Sequence, residues 1–285
     1  MPVRVIESKD NARLKELRRA LAASGSGARG SADGGGALVG IEGPNLLEEA
    51  LRAGLRVETV FVAHGPNHDW ERLLDRLHLP SETEILRLPR KLLDSALATE
   101  TPQPIAALVD PPQWTWAHVL GTGPALVVVL AGLQDPGNLG TILRSAEAFG
   151  ATGVVSLPGT VSAWNPKAVR ASAGSVFRVP LLADNVKDCF SRLRAAGVKV
   201  LATALREAKP ANTVNLTGPA ALLIGNEGNG VPEQIARQAD GAVTIPCPGP
   251  VESLNAAVAA GVLLYEAARQ RSGGARRENA KRSAR

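Results

Sequence analysis

Hydrophobic and polar residues follow a repeated strand-then-helix order along the first part of this chain. Short aliphatic or β-branched runs predict strands at ALVGIEG (37–43), VETVFVA (57–63), EILRLP and IAALVD (105–110). Apolar residues at helical spacing predict helices at NARLKELRRALAA, PNLLEEALRAGL (44–55), WERLLDRLHL and RKLLDSALA. The pattern therefore predicts a small α/β domain over residues 1–110. A Gly/Ser-rich segment, 24–36, interrupts it and is predicted to be a mobile loop.

The same alternation becomes more regular from residue 125 onward. Strands are predicted at ALVVVLAGL (125–133), GVVSL (153–157), VKVLATAL, AALLIG and AVTIP. Helices are predicted at LGTILRSAEAFG, NPKAVRASAGS, VKDCFSRLRAAG, VPEQIARQA and about 253–270. Such alternation is typical of a mostly parallel sheet covered by helices. The sequence thus predicts a second domain over 125–270, joined to the first by a Pro/Gly/Trp-rich linker, 111–124.

Composition and charge narrow the class of protein. The chain has 285 residues, of which 45% are hydrophobic, enough for two globular cores. Its longest apolar run, 125–133, is too short to span a bilayer, so we expect no membrane partner. The N-terminus is charged and lacks the apolar core of a signal peptide. Cys189 and Cys247 match no metal or redox spacing, which predicts a reducing, cytoplasmic location and no bound metal.

The net charge of +5 belongs to one end of the chain. Residues 271–285 contain six Lys or Arg and a single Glu, so the remainder is neutral overall. This composition predicts a disordered basic tail. Two interpretations stay open: weak, salt-sensitive contact with nucleic acid, or a solubilising terminus without a partner.

Three segments place polar side chains where predicted strands lead into helices. They are DPGNLGTILRSAEAFG (135–150), LLIGNEGNGVPEQI (222–235) and IPCPGPVESLNAAVAAGVLLYEAARQR (245–271). Ligands of parallel sheets bind beyond the carboxyl ends of the strands, so we expect one shared site. The polar residues of these segments are the candidates: Asn138, Arg144, Glu227, Ser253 and Asn255.

Each candidate also has an ordinary structural interpretation. Asn138 is a plausible N-cap for a helix beginning near Leu139, and Ser253 for the last helix. Arg144 suits a bidentate phosphate contact, with Glu147 three residues on to hold it, but could equally form an exposed helix pair. Glu227 lies in a GxxGxG loop that lacks the dinucleotide-binding order, so an uncharged or cationic ligand is favoured over a pyrophosphate.

These three segments resemble the three motifs of the SpoU (TrmH-type) RNA ribose 2′-O-methyltransferases of the SPOUT class. The resemblance covers about 125–270 in the same order and spacing. GIEGPNLLEEALRAG and VETVFVA resemble the family's ribosomal-protein-like substrate-binding domain. The implied fold is α/β: a trefoil-knotted methyltransferase domain with a parallel sheet, preceded by a small α/β RNA-binding domain.

The resemblance also implies a chemistry. The cofactor would be S-adenosylmethionine, held around Thr203, Gly225, Ile245 and Leu254, and the protein would be a homodimer. The five polar candidates fall on the family's functional positions. The substrate would be RNA, with ribosomal RNA favoured over transfer RNA because of the additional N-terminal domain. A non-enzymatic RNA-binding protein and a base-methylating enzyme of the same class remain the alternatives.

Overall fold

The computed structural model describes residues 3–22, 37–64, 70–97, 99–205, 207–250 and 253–283. Side chains are described as far as residue 272, except at positions 70, 71 and 73. The segment 24–36, predicted to be a mobile loop, lies outside the described residues.

Strands and helices alternate through the described chain, as the sequence pattern predicts. The strands are β1 Val3–Val5, β2 Val39–Glu42, β3 Val57–His64, β4 Glu84–Pro89, β5 Ile105–Val109, β6 Leu126–Leu130, β7 Gly153–Ser156, β8 Leu181–Ala183, β9 Lys199–Thr203, β10 Lys209–Pro210, β11 Ala220–Ile224 and β12 Gly241–Thr244. The α-helices are α1 Ala12–Ala22, α2 Pro44–Arg52, α3 Trp70–Leu77, α4 Arg90–Asp94, α5 Trp116–Leu120, α6 Pro136–Ala148, α7 Pro166–Ser172, α8 Val186–Ala195, α9 Glu233–Ala236 and α10 Ala256–Ser283.

The chain forms two compact units. The first consists of Met1–Gln113 together with Ser162–Arg178, and the second of Trp114–Val161 together with Val179–Arg285. Within the first unit α7 packs against β2, and the guanidinium of Arg178 lies 2.6 Å from the carboxylate of Glu49 on α2. The sequence pattern does not predict that 162–178 belongs with the N-terminal residues. The division of the chain into domains at the predicted boundaries stays a prediction.

The first unit is built on a five-stranded sheet in the order β1-β4-β3-β5-β2. Strands β1, β4 and β3 run parallel, and β5 runs antiparallel to both β3 and β2. Every residue of β5 is buried, so the core lies on both of its faces. Pro44 begins α2, since a proline in the first helical turn removes an N–H that has no partner there in any case.

The second unit is built on a seven-stranded sheet in the order β10-β12-β9-β11-β6-β7-β8, in which every pair is parallel. The central strands β6 and β11 are completely buried, and continuous aliphatic runs are what a strand covered on both faces requires. Because β6, β11, β9 and β12 are neighbours and parallel, their carboxyl ends meet at one edge of the sheet. That edge positions the candidate residues.

Two parts of the second unit differ in detail from the sequence pattern. The segment expected to be a linker contains α5, which is capped by Thr115 and packs against β7. The last helix, α10, continues to Ser283 and so extends into the segment for which a disordered tail is predicted. Arg271 was counted with that tail, but its side chain is held by backbone carbonyls of the sheet unit.

Candidate active site

Three of the four candidate cofactor residues lie at the carboxyl ends of adjacent parallel strands. Thr203 ends β9, Gly225 follows β11 and Ile245 follows β12. The hydroxyl of Thr203 donates to the carbonyl of Leu223 at 3.0 Å, so this side chain links two strands. Leu254 precedes α10 and is exposed. The strand ends therefore offer backbone groups and partly exposed aliphatic side chains.

A chain of side-chain hydrogen bonds joins the three motif segments. The amide Nδ2 of Asn255 donates to Oδ1 of Asn138 at 3.0 Å. Nδ2 of Asn138 in turn donates to Oε1 of Glu227 at 2.9 Å. Asn138 is 9% exposed, whereas the Glu227 residue is exposed. We call this series Asn255–Asn138–Glu227 the amide relay. It confirms that the three segments meet, which the strand-end argument predicts.

Glu227 also holds the backbone that leads into α6. Its carboxylate accepts hydrogen bonds from the N–H groups of Asp135 at 3.2 Å and Gln134 at 3.4 Å. Burial raises the pKa of Glu227, but the hydrogen bonds from Asn138 and from the backbone N–H groups outweigh it, so the pKa lies below its ordinary value. The carboxylate is therefore an anion at neutral pH and a poor proton acceptor.

The predicted helix caps were each displaced by a few residues. Asp135 caps α6 by accepting from the N–H of Gly137, so Asn138 lies inside the first turn and its amide is free to form the relay. Asn255, and not Ser253, caps α10, because its Oδ1 accepts from the N–H groups of Ala257 and Val258. Both predictions were wrong because Asp, Asn and Ser are nearly equal as N-caps, so Asp135 could replace Asn138 and Asn255 could replace Ser253.

Arg144 and Ser253 are the candidates whose polar atoms remain available. Both are exposed, and neither forms a hydrogen bond or ion pair with another described residue. The expected contact between Arg144 and Glu147 is accordingly absent from the described part of the chain. The carboxylate of Glu227 binds Asn138 and the 134–135 backbone, and it forms no hydrogen bond or ion pair with Arg144 among the described residues.

The glycine-rich loop after β11 depends on Asn226, which is not among the candidates that the sequence pattern indicates. Asn226 donates to the carbonyl of Gly132 at 3.0 Å, accepts from the N–H of Gly228 at 2.9 Å and pairs through its backbone with Gly230. A Cβ on Gly225 would lie 2.0 Å from the backbone of Gly230, so position 225 admits only glycine. The repeated Asn-Gly pairs of GNEGNG were the available signal for this turn.

Comparison with protein families identifies the chain. The profile of the SpoU rRNA Methylase family matches residues 125–265, and that of RNA 2′-O ribose methyltransferase substrate binding matches residues 41–115. A Bacillus subtilis protein named 23S rRNA (guanosine(2553)-2′-O)-methyltransferase RlmP is 36% identical over 229 residues, which cover 79% of this chain and 86% of the relative. The chain belongs to the SpoU rRNA methylase family. Its resemblance to the SpoU methyltransferases is thereby confirmed.

Further relatives and solved structures agree with the SpoU assignment. A Mycolicibacterium vanbaalenii protein named as an uncharacterized tRNA/rRNA methyltransferase is 37% identical, over 80% of this chain and 76% of the relative. The AdoMet-bound rRNA methyltransferase of Sinorhizobium meliloti has a TM-score of 0.77 and 29% identity, over 94% of this chain and 98% of that one. AviRb of Streptomyces viridochromogenes, solved with AdoMet, has a TM-score of 0.77 and 30% identity, over 92% of this chain and 98% of that one.

These similarities confirm three predictions for this SpoU protein. The α/β fold with a parallel sheet and a substrate-binding domain is confirmed, while the trefoil knot stays a prediction. The enzyme class, an RNA 2′-O-methyltransferase, and the cofactor, S-adenosylmethionine, are those of the family. No helix within the described residues is long and apolar enough to cross a bilayer.

The residues at the strand ends fit S-adenosylmethionine. The half-buried Ile245 and the exposed Leu254 offer apolar surface of the kind an adenine ring requires. The absent side chain at Gly225 lets backbone approach closely. The ionised Glu227 suits a cationic sulfonium better than a phosphate. Among the described residues, no group of His, Cys, Asp and Glu is arranged to hold a metal ion.

Proposed function

We propose that this protein transfers a methyl group from S-adenosylmethionine to a ribose 2′-hydroxyl of ribosomal RNA. The observation that carries the proposal is the amide relay, which brings all three motif segments to one edge of the parallel sheet. The name of the Bacillus subtilis relative supports large-subunit ribosomal RNA as the first substrate to test. Transfer RNA is the alternative, since other relatives are named as tRNA/rRNA methyltransferases.

In this proposal the cofactor is held by the strand ends of the second unit. Gly225 and Ile245 would contribute backbone groups, Leu254 an apolar surface, and Thr203 the strand end whose position its own hydroxyl fixes. The bound cofactor supplies an electrophilic methyl group. The protein's task is to align the hydroxyl with that group, because in-line displacement gains much of its rate from orientation.

Arg144 is the proposed clamp for the target nucleotide. Its exposed guanidinium, unpaired among the described residues, matches the planar geometry of a phosphate and can form two parallel hydrogen bonds. An arginine resists deprotonation in proteins, so a role as proton acceptor is rejected. Binding of the phosphate next to the reacting ribose would also stabilise the developing alkoxide.

Ser253 is the proposed contact for the 2′-hydroxyl. Its own hydroxyl is exposed and can both donate and accept. Asn255 can contribute only the second N–H of its amide, because Oδ1 caps α10 and the first N–H binds Asn138. Asn138 and Glu227 are therefore positioning residues. Asn138 fixes the side chain of Asn255, and Glu227 fixes Asn138 and the backbone that leads into α6.

Methyl transfer to separated RNA fractions tests this function. Wild-type protein, Arg144→Ala and the control Arg194→Ala are incubated with labelled S-adenosylmethionine and with 23S, 16S or transfer RNA, and digested nucleosides are analysed by mass spectrometry. Arg194 is an exposed arginine on α8 whose guanidinium donates to the carbonyl of Gln238 and lies over the ring of Phe190, away from the candidate site. We expect a 2′-O-methylated nucleoside from wild type and Arg194→Ala, and a loss of about 10²-fold in Arg144→Ala.

The outcomes separate the alternatives. A methyl group found on the base would refute ribose methylation and establish base methylation. Label in the transfer-RNA fraction alone would refute ribosomal RNA as the substrate and establish transfer RNA. Cofactor binding by calorimetry without transfer to any fraction would refute the substrate class. Absence of both binding and transfer would favour the RNA-binding protein.

We also propose that the enzyme is a cytoplasmic homodimer whose second unit carries the family's trefoil knot. Support for a dimer comes from a stripe of exposed hydrophobic side chains at the start of α10. Its members follow one another at spacings of four, four and three residues and are 37–55% exposed: Leu254, Val258, Val262 and Tyr265. A second copy is the occupant that would bury this stripe. Light scattering should give twice the chain mass, and Val258→Glu should lower it to one chain; a monomeric wild type would refute the proposal.

A further inference from the structure

The middle of α10 binds the opposite edge of the sheet from the amide relay. The guanidinium of Arg271 donates to four backbone carbonyls: Leu216 at 3.0 Å, Pro124 at 2.8 Å, Ala125 at 3.0 Å and Gly218 at 2.8 Å. Two of these carbonyls precede β6 and two precede β11. One side chain therefore joins the starts of the two central strands.

Gln270 reinforces the same attachment. Its Oε1 accepts from the N–H of Leu216 at 2.8 Å, and its Nε2 donates to the carbonyl of Val214 at 2.9 Å and to Glu266 at 2.8 Å. The hydrogen bond from Arg269 lowers the pKa of Glu266 to about 2, so this partner is always ionised at neutral pH. We call Gln270 and Arg271 the clasp.

The chemistry of the clasp requires an arginine. Arg271 is half-buried, and this partial withdrawal from water lowers the pKa of its guanidinium. It remains charged, because a guanidinium keeps its proton in proteins. Its contacts use four of five N–H groups spread over a plane. A lysine offers three N–H groups on one atom and cannot reach four separated carbonyls.

The first turns of α10 need such an attachment. The buried side of the helix begins with Ala256, Ala257 and Ala260, and Gly261 lies against Ser145 of α6. Small residues form shallow ridges, so these first turns define the position of the helix along its axis only weakly, and the large buried side chains begin further on, at Leu263 and Leu264. Asn255 fixes one end of this helix, and the clasp fixes it again about 24 Å further along the axis.

We propose that Gln270 and Arg271 are positioning residues for methyl transfer. By fixing α10 against the starts of β6 and β11, they set where Asn255 meets Asn138 and Glu227 at the other end of the same strands. The inference rests on the proposed function, because its readout is turnover of the RNA. It adds two residues that do not touch the strand-end site and that lie at the carboxyl end of the third motif segment, 15 and 16 residues after Asn255.

The first test compares Arg271→Lys and Gln270→Ala with Arg194→Lys. Arg194 also donates to a backbone carbonyl, that of Gln238 at 2.8 Å, so the control matches the bond type in the same unit. With folding verified by circular dichroism at 25 °C, we expect kcat to fall about ten-fold or more in both clasp variants, since a displacement of ~1 Å can cost ~10²-fold. KM for RNA and the Arg194→Lys kinetics should stay near wild type. A wild-type kcat in both clasp variants would overturn the proposal.

The second test asks whether the clasp acts through Asn255. Arg271→Lys is combined with Asn255→Ala; if Arg271→Lys does not fold, Gln270→Ala replaces it. We expect the double variant to be no slower than Asn255→Ala alone, because the positioned group is already missing. If the two losses multiply, the clasp contributes only general stability and the inference is refuted. If Asn255→Ala itself has wild-type turnover, the proposed site fails, which is distinct from failure of the clasp alone.

Discussion

Replacing Asn138 by alanine removes both bonds of the amide relay at once. The bond accepted from Asn255 is neutral and contributes about 1 kcal/mol to the free energy of unfolding. The bond donated to Glu227 is charge-assisted, but that carboxylate is exposed, so solvent screening limits it to about 1 kcal/mol or less. We therefore expect a loss of stability of about 1–2 kcal/mol. Because Asn255 would no longer be fixed, we expect kcat to fall about 10²-fold.

A stability-matched control separates the two effects. Asn185 caps α8 by accepting from the N–H of Asp188 at 2.9 Å and donating to its carboxylate at 2.7 Å. Its replacement by alanine should cost about 1 kcal/mol, a similar amount, without touching the relay. Both variants are compared by urea unfolding, by calorimetry of cofactor binding and by turnover of ribosomal RNA. If Asn138→Ala loses stability but turns over RNA as fast as Asn185→Ala, the relay has no part in the reaction.

Three further outcomes are expected. Gly225→Ala should abolish cofactor binding measured by calorimetry, since the added Cβ would lie 2.0 Å from backbone. Gly228→Ala should retain binding, because its Cβ would meet no atom nearer than 3.5 Å. Equal binding by the two variants would contradict this account. In the first unit, Thr59→Val should raise the free energy of unfolding by about 1 kcal/mol, because the buried hydroxyl of Thr59 has no partner among the described residues. Thr83→Val should lower it by about the same amount, because the variant loses a 2.9 Å hydrogen bond to a backbone carbonyl. Urea unfolding that ranks the two variants in the reverse order would refute this. The stability that Glu227 contributes should be complete above its ordinary pKa of 4.5 and be lost as pH falls through the lowered pKa of the folded state. The difference in free energy of unfolding between wild type and Glu227→Gln should therefore shrink over that range of pH. A difference that does not depend on pH would exclude the carboxylate as its source.

The sequence predicted the strand ends well and the local bonding poorly. Buried runs such as LVVVL in β6 are typical of central strands of a parallel sheet, and parallel strands fix the edge at which Gly225 and Ile245 lie. The edge that gathers the candidates therefore follows from hydrophobic pattern alone. The enzyme class and cofactor followed from the motifs of the resembling family, which the family profiles confirm.

The pairing of polar side chains could not be read from the sequence. Asn138 and Asn255 are 117 residues apart, and which of several Asn, Asp and Ser residues caps each helix is decided by less than about 1 kcal/mol. Asp135 and Asn255 occupy the two N-cap positions, so the side chain of Asn138 is available for the amide relay. The attachment of Arg271 was missed for a similar reason: its sequence neighbours indicate a basic tail, and only tertiary contacts reveal four carbonyls.

The placement of 162–178 has a consequence for how the chain acquires its structure during synthesis. A ribosome releases β1 to β5 first, yet the first unit still lacks Ala163, Val169, Val176 and Phe177, all of which are buried when it is complete. N-terminal domains usually fold as they emerge. Here the nascent chain must keep apolar surface uncovered while β6 and β7 are made, and it can complete its first unit only after Arg178 has emerged. A fragment cut at Gln113 would therefore expose that surface permanently, and aggregation of this fragment is the expected cost.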